Sequence, residues 1–525
     1  MVYFMINVSF IQMKKSILII TVITAAMMEL IDTSIVNVAL SHMSGNLGAT
    51  LEDTSWVITA YAIANIIIIP MTSFLATKLG RRNYYIGSII AFTFFSAMCG
   101  LAPNIWTLVA FRFLQGMGGG ALLSVSQAIV FEVYGKEKSG IASALFGVGV
   151  FLGPTIGPTL GGFITENYSW PWIFYINIPI GIAVTVSSLL LVTEPAVKVE
   201  PKAVDWWGIL LLVIGIGSLQ TVLERGETDD WFSANYIIAL TATAIFSILM
   251  FIWWELTIPN PVIDLRVLKS KSLAVAAILT FVTGVGLFTS VFLTPVLAQR
   301  VLGFPPTMTG LTLLPGAILA IFGLLFSATL LKKGVSPLII IFTGFILFIM
   351  FSYKMAGFNL ESTPGNLART LIFRALGLAF LTVPLTALAV SGLEAKDVPQ
   401  GAALNNMMRQ LGGSFGIAII NTYVAHRFGS HRNDLISNIS VYNPQATQRV
   451  NGLTQYFAGK GASSFDAQHK AMAVIDNGIN RQSFLMSYLD AYIFVGLLFL
   501  LSMPLLVLVL NRKKQAGPVV LVSDH

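Results

Sequence analysis

The chain has 525 residues, 55% hydrophobic and 10% charged, against about 25% charged in ordinary soluble domains, and this excludes a soluble globular protein. A mean hydropathy of +0.80 over this length corresponds to on the order of a dozen membrane-spanning helices at about 20 apolar residues each. The net charge of +7 sits in short Lys/Arg clusters between apolar runs, where topology accounts for it, so nucleic acid is not an expected partner; the single cysteine, Cys99, excludes an intrachain disulfide.

Residues 1–15 read as a cytoplasmic N-terminus, and Met13-Lys14-Lys15 would itself make an ordinary membrane-protein start, with Met13 as first residue. Apolar runs then follow at 16–40, 55–76, 84–102, 105–130, 141–164, 172–193, 206–224, 236–255, 273–298, 311–331, 337–356, 368–392, 403–425 and 485–510, about fourteen in all. The first contains charge and no small-residue cleavage site, so it reads as a retained span. The basic clusters, among them Lys14/Lys15, Lys78/Arg81/Arg82, Lys332/Lys333 and Arg512/Lys513/Lys514, fall on alternate connections. By the positive-inside rule both termini are then cytoplasmic and the number of spans is even. The polar stretch at 426–484 is long enough for an extracytoplasmic lobe.

The sequence repeats. Phe111-Arg112-x-Leu114-x-Gly116 recurs as Phe373-Arg374-x-Leu376-Gly377, and Gly140-Ile141-Ala142-Ser143-Ala144-Leu145 recurs as Gly401-Ala402-Ala403-Leu404. The expected organisation is therefore all-α: a six-helix bundle at 16–193, a linker at 194–272 holding the extra spans 206–224 and 236–255, a second six-helix bundle at 273–510 that includes the lobe, and a cytoplasmic tail at 511–525.

Ionisable residues inside spans each cost roughly 2.5–3.5 kcal/mol at a helix centre on insertion scales, so they are functional candidates by default. Glu29 and Asp32 share one face of the first span at a spacing of three. Burial and a neighbouring like charge both favour a neutral acid, which suits a proton carrier; a permanently protonated acid making a structural hydrogen bond is the alternative. Arg112, with Gln115 beside it, needs an acidic or carbonyl partner, and Asp32 is a plausible one, either as a static ion pair or as a pair whose separation loads and empties the acid. Arg409 lies at similar depth in the span at 403–425. Asn37, Gln115, Asn405 and Arg409 are the candidate cavity residues. The run Gly149, Gly153, Pro154, Gly157, Pro158, Gly161, Gly162 reads as a hinge or a close inter-helix contact. Gly116 to Ala121 matches a dinucleotide fingerprint but lacks a preceding strand, so it is set aside. Walker A, His-Glu-x-x-His and Gly-x-Ser-x-Gly patterns are missing, and all five histidines lie outside the spans; an enzyme is not expected, and neither is a cofactor or metal, with protons as the coupling ion.

Together these motifs resemble the major facilitator superfamily, in particular its fourteen-span drug:proton antiporter branch and the EmrB multidrug exporters within it. The resemblance rests on Asp32-Thr33-Ser34-Ile35-Val36-Asn37-Val38-Ala39-Leu40, the loop Lys78-Leu79-Gly80-Arg81-Arg82, Arg112-x-x-Gln115-Gly116, the Gly149–Gly162 run, Trp172 to Gly181, Asp205-Trp206-Trp207-Gly208, Leu223-Glu224-Arg225-Gly226 with Trp231-Phe232, and Arg409-Gln410-Leu411-Gly412-Gly413-Ser414. It implies a proton-driven efflux antiporter for amphiphilic compounds in the inner membrane, working by alternating access. Lys78, Gly80, Arg81 and Arg82 would form its gating loop. In Gram-negative relatives a periplasmic adaptor and an outer-membrane channel complete the pump. Three positions depart from the pattern: Ser73 stands where the loop signature usually begins with Gly, Thr77 where an acid is usual before its first basic residue, and Pro171 where a basic residue is common. The same scaffold could instead carry one metabolite or lipid.

Overall fold

In the computed structural model, residues 2–135, 139–194, 205–259, 261–393, 397–440 and 442–506 are described. Every regular element among them is helical. In chain order these are α1 (Val2–Ile35), α2 (Leu40–Leu47), α3 (Leu51–Leu79), α4 (Arg81–Gly100), α5 (Ile105–Tyr134), α6 (Ser139–Asn167), α7 (Trp172–Tyr175), α8 (Asn177–Leu191), α9 (Trp206–Arg225), α10 (Asn235–Thr257), α11 (Lys271–Val296), α12 (Pro306–Lys332), α13 (Pro337–Ala356), α14 (Pro364–Ser391), α15 (Val398–Ser437), α16 (Pro444–Gly459) and α17 (Ser464–Ser502). Eleven helices among the described residues are long and apolar enough to cross a membrane. The chain is a multi-pass membrane protein. The tail at 511–525 lies outside the described residues.

Local chemistry fixes the helix ends. Asn104 caps α5 by accepting from the Thr107 N–H at 2.9 Å, and Thr50, Asp205, Thr363 and Ser463 do the same for α3, α9, α14 and α17. Proline opens α13 and α14, where its missing N–H costs nothing. Gly80, at φ +84°, separates α3 from α4, a backbone position that an L side chain rarely adopts.

Packing follows the repeat. In the first part α5 lies against α3, α4 and α1, and α1 against α6; in the second α14 lies against α11, α12 and α13, and α11 against α15. The two parts meet where α6 packs along α12 and α3 along α15. Helix α9 packs on α3 and α10 and also reaches α15, so the central pair touches both parts. At its tip, Arg225 donates to Ser55 Oγ (2.6 Å) on α3, and Trp231 Nε1 donates to Thr422 Oγ1 (2.9 Å) on α15.

The polar stretch at 426–484 is a helical extension. Helix α15 has 40 residues and α17 has 39, so at 1.5 Å per residue each is roughly twice the length that about 30 Å of hydrocarbon requires. The two continue side by side, joined by Arg427–Asp490 (2.6 Å), His431–Asp490 (2.8 Å) and Arg432–Asp476 (2.9 Å), with Phe428 stacked on Phe484 and α16 packed on α17.

Candidate functional site

Helices α1, α4, α5 and α8 converge on Asp32. Its side chain is fully buried, and Arg112 on α5 is 1% exposed. Arg112 Nη1 donates to Asp32 Oδ2 at 2.5 Å; Gln115 Nε2 and Asn177 Nδ2 donate to Oδ1 at 3.0 and 2.8 Å. The carboxylate thus accepts three hydrogen bonds, one of them from a cation. Arg112 also donates to Gln115 Oε1 (2.9 Å) and to the Val57 carbonyl (3.3 Å), and its guanidinium lies 4.1 Å from the Tyr61 ring centroid. Asn177 Nδ2 also donates to Ser96 Oγ at 3.0 Å, and Ser96 to the Phe174 carbonyl at 2.9 Å. Each element of this cluster is therefore held by at least one neighbour.

Glu29, one turn before Asp32, is in a different environment. Asn65 Nδ2 donates to its Oε1 at 2.9 Å, while Oε2 is buried without a hydrogen-bond partner among the described residues, as is the Tyr61 hydroxyl. Across from it, Arg409 on α15 donates to Asn406 Oδ1, and Asn406 Nδ2 to Gln127 Oε1, both at 2.5 Å. That second bond joins α15 to α5.

The remaining candidates are placed as follows. Gln115 belongs to the Asp32 cluster. Asn37 is exposed in the short 3-10 turn after α1, bonded only to the Ser34 carbonyl (3.4 Å). Asn405 is buried with its carbonyl oxygen unpartnered among the described residues, whereas its neighbour Asn406 makes the bridge. In the basic loop, Lys78 lies 6.0 Å from the Trp206 ring, Arg81 pairs with Glu132 and donates to the Thr193 carbonyl, and Arg82 donates to the Leu189 carbonyl (2.8 Å). Glu194 accepts from the backbone N–H of Arg81 and Arg82, and a Cβ on Gly80 would lie 2.8 Å from Glu194 Oε1. A carboxylate thus complements the first turn of α4.

Gly149, Gly153, Gly157 and Gly161 line the face of α6 that touches α1: a Cβ added there would come within 3.1 Å of Met27, 2.5 Å of Leu30, 1.9 Å of Ser34 Oγ and 2.5 Å of Val38 respectively. Pro154 and Pro158 lie inside the helix and Gly162 is buried. Of the two meanings left open for this run, the geometry shows the close inter-helix contact. Asn177, Ser96, Asn65, Tyr61, Gln127 and Asn406 carried no assigned role in the sequence. Asn177 and Asn65 interrupt apolar runs, and Asn177 also lies within the Trp172–Gly181 segment that carries part of the resemblance.

The Major Facilitator Superfamily pattern matches residues 22–417. The chain belongs to the major facilitator superfamily. Within it, the chain is 35% identical over 422 residues to the multidrug export protein EmrB of Escherichia coli K12, covering 80% of this chain and 82% of that one. It is 31% identical over 483 residues to the fatty acid resistance protein FarB of Neisseria gonorrhoeae, covering 92% and 93%. The colistin resistance protein EmrB of Acinetobacter baumannii is 28% identical over 467 residues, covering 88% and 90%. The superfamily fold also appears in the crystal structure of the human organic anion transporter MFSD10, with a TM-score of 0.57 and 13% identity, covering 94% of this chain and 99% of that one. Membership marks the chain as a superfamily transporter, and the relatives it resembles include multidrug export proteins.

Proposed function

We propose that the protein is a proton-driven antiporter that exports amphiphilic compounds across the inner membrane by alternating access. The observation that carries this reading is the pair of acids on α1. Asp32 is buried among three donors that suit a carboxylate, and Glu29 has one neutral donor and a free oxygen. Two carboxyl groups in unlike settings can be in different protonation states at the same pH. For Asp32 to take up a proton, Arg112 must let go of it, so a rearrangement of α1 against α5 is tied to loading.

Counting α3, α4 and α15 with the eleven strongly apolar helices gives fourteen spans, in two six-helix bundles with α9 and α10 between them. Both termini are then cytoplasmic. The α15–α17 extension emerges on the opposite side, where it supports docking of a periplasmic adaptor that leads to an outer-membrane channel, in line with the EmrB relatives. Reconstituted into proteoliposomes, the protein should move ethidium uphill when a pH gradient is imposed and stop when a protonophore collapses it. Ethidium movement indifferent to the gradient would refute proton coupling.

A further inference from the structure

The second copy of the repeat keeps the buried arginine of the first and drops its carboxylate. Arg112 and Arg374 are 262 residues apart, and the same offset carries Asp32 onto Thr294. The structure repeats the correspondence: α14 packs on α11 as α5 packs on α1, and Arg374 Nη1 donates to the Ser290 carbonyl on α11 at 3.3 Å, on the helix where an acid would have stood. Thr294 is already committed, its hydroxyl bonded to the Ser290 carbonyl (2.6 Å) and to Tyr492 (3.0 Å).

Arg374 is 7% exposed, and among the described residues no carboxylate pairs with it. A guanidinium has five N–H donors, and the carbonyl of Ser290 takes one of them. A buried cation without a partner is costly, and an anion relieves that cost. Beside Arg374 lies a small cavity whose other walls are Leu287, Val291, Ala317, Ala320, Ala375 and Leu378, on α11, α12 and α14. These are apolar side chains around one fixed positive charge. Such a lining excludes multiply charged ions, whose hydration it cannot replace, and its volume of about 10 Å³ leaves room only for a single negative charge on a body about the size of a water molecule.

We propose that Arg374 and this cavity form a binding site for chloride. In the occupied site the anion pairs with Arg374, so that each half of the protein holds one arginine–anion pair. The proposal does not rest on the export reading above.

The test is thermal unfolding of the full-length protein in lipid nanodiscs, because a ligand that binds the folded state raises its midpoint. Sodium gluconate buffer is the baseline, to which sodium chloride, 2-naphthoate or the neutral 2-naphthamide is added in separate arms. The site predicts a saturable rise in Tm with chloride, and none with 2-naphthoate, which the cavity is too small to admit, or with 2-naphthamide. R374Q should weaken chloride binding about 30-fold or more, while R374K, which keeps the charge, should retain most of it. If R374Q does not fold, R374K and the wild-type arms still decide. The proposal is overturned if chloride does not stabilise the wild-type protein, if naphthoate or the amide acts as well as chloride, or if R374Q responds like wild type. Binding at equilibrium needs no proton gradient, so these outcomes are independent of whether export is proton-coupled.

Discussion

Asp32 and Arg112 are each other's compensation for burial, and removing either leaves a buried charge behind. Asp32→Ala should cost about 3–5 kcal/mol of stability, the usual penalty for breaking a buried pair from one side. Asp32→Asn keeps an acceptor for Arg112 and should unfold at a midpoint much closer to wild type, as read by thermal melts in detergent. Asn177→Ala, which removes a donor to the carboxylate, should cost about 1.5–3 kcal/mol and lower the efflux rate. Glu29→Gln retains the Asn65 contact and should fold normally with weakened export. Glu29, Asp32, Arg112 and Gln115 were legible in the sequence because a charge or long polar chain inside an apolar run demands an explanation. Asn177 and Ser96 were not, since small neutral polar groups are common in spans and only packing shows which of them meet a carboxylate. Asn405 and Asn406 illustrate the limit: adjacent positions on a helix point about 100° apart, and composition gives no way to choose which of the two faces Gln127.

Along a single helix the glycine face of α6 governs how near α1 can come. Gly153→Ala and Gly157→Ala place a methyl group against Leu30 and Ser34 at 2.5 and 1.9 Å, and overpacking of this kind should cost about 1–3 kcal/mol. Gly149→Ala meets the flexible Met27 side chain at 3.1 Å and should be milder, and Gly87→Ala, with nothing within 4 Å, serves as the neutral control. Denaturation midpoints of the four variants should follow that order; equal losses at all sites would show that α1 does not set the constraint. The periodic small residues were visible in the sequence, but a hinge and a contact face use the same residues, and only the position of α1 separates them. The lobe was legible as a polar stretch of unusual length. Its helical form was not, because it depends on pairs such as Arg427–Asp490 and Phe428–Phe484 that lie far apart in the chain.

Across the whole molecule, the proposed antiport would couple two movements whose energies can be compared. A proton crossing under about 150 mV releases roughly 3.5 kcal/mol, at about 2.3 per 100 mV, which sustains a cargo gradient of a few hundred-fold at about 1.4 kcal/mol per decade. One titrating carboxyl is sufficient. Alternating access would require α6 and α12 to part at one end at a time, and a Cβ at Gly310 would lie 2.8 Å from the Thr159 Cβ, so that a local parting of the helices by about 1 Å brings the pair to disulfide spacing. In a Cys99→Ser background, the pair Thr159→Cys and Gly310→Cys should cross-link on oxidation and halt transport, with recovery under reductant; full transport by the cross-linked protein would contradict a rocking mechanism. Replacing residues 435–475 with a short Gly/Ser linker should spare transport in vesicles and remove resistance in cells, if the lobe hands cargo to an adaptor. Retained resistance would show that it does not. The repeat, the all-helical class and the family were readable from sequence because hydropathy and spaced motifs are local signals, whereas the reach of α9 to α15 through Trp231 and Thr422 depends on how the two parts assemble.

Under the proposed function Asp32 is the group whose protonation would drive export, and paired transport assays on Asp32→Asn address that role most directly. In proteoliposomes, the variant should lose uphill ethidium transport under an imposed pH gradient at every pH tested, yet still exchange ethidium for ethidium at equilibrium, because the folded carrier remains and only its link to protons is gone. Uphill transport at wild-type rates by Asp32→Asn across the pH series would contradict the account.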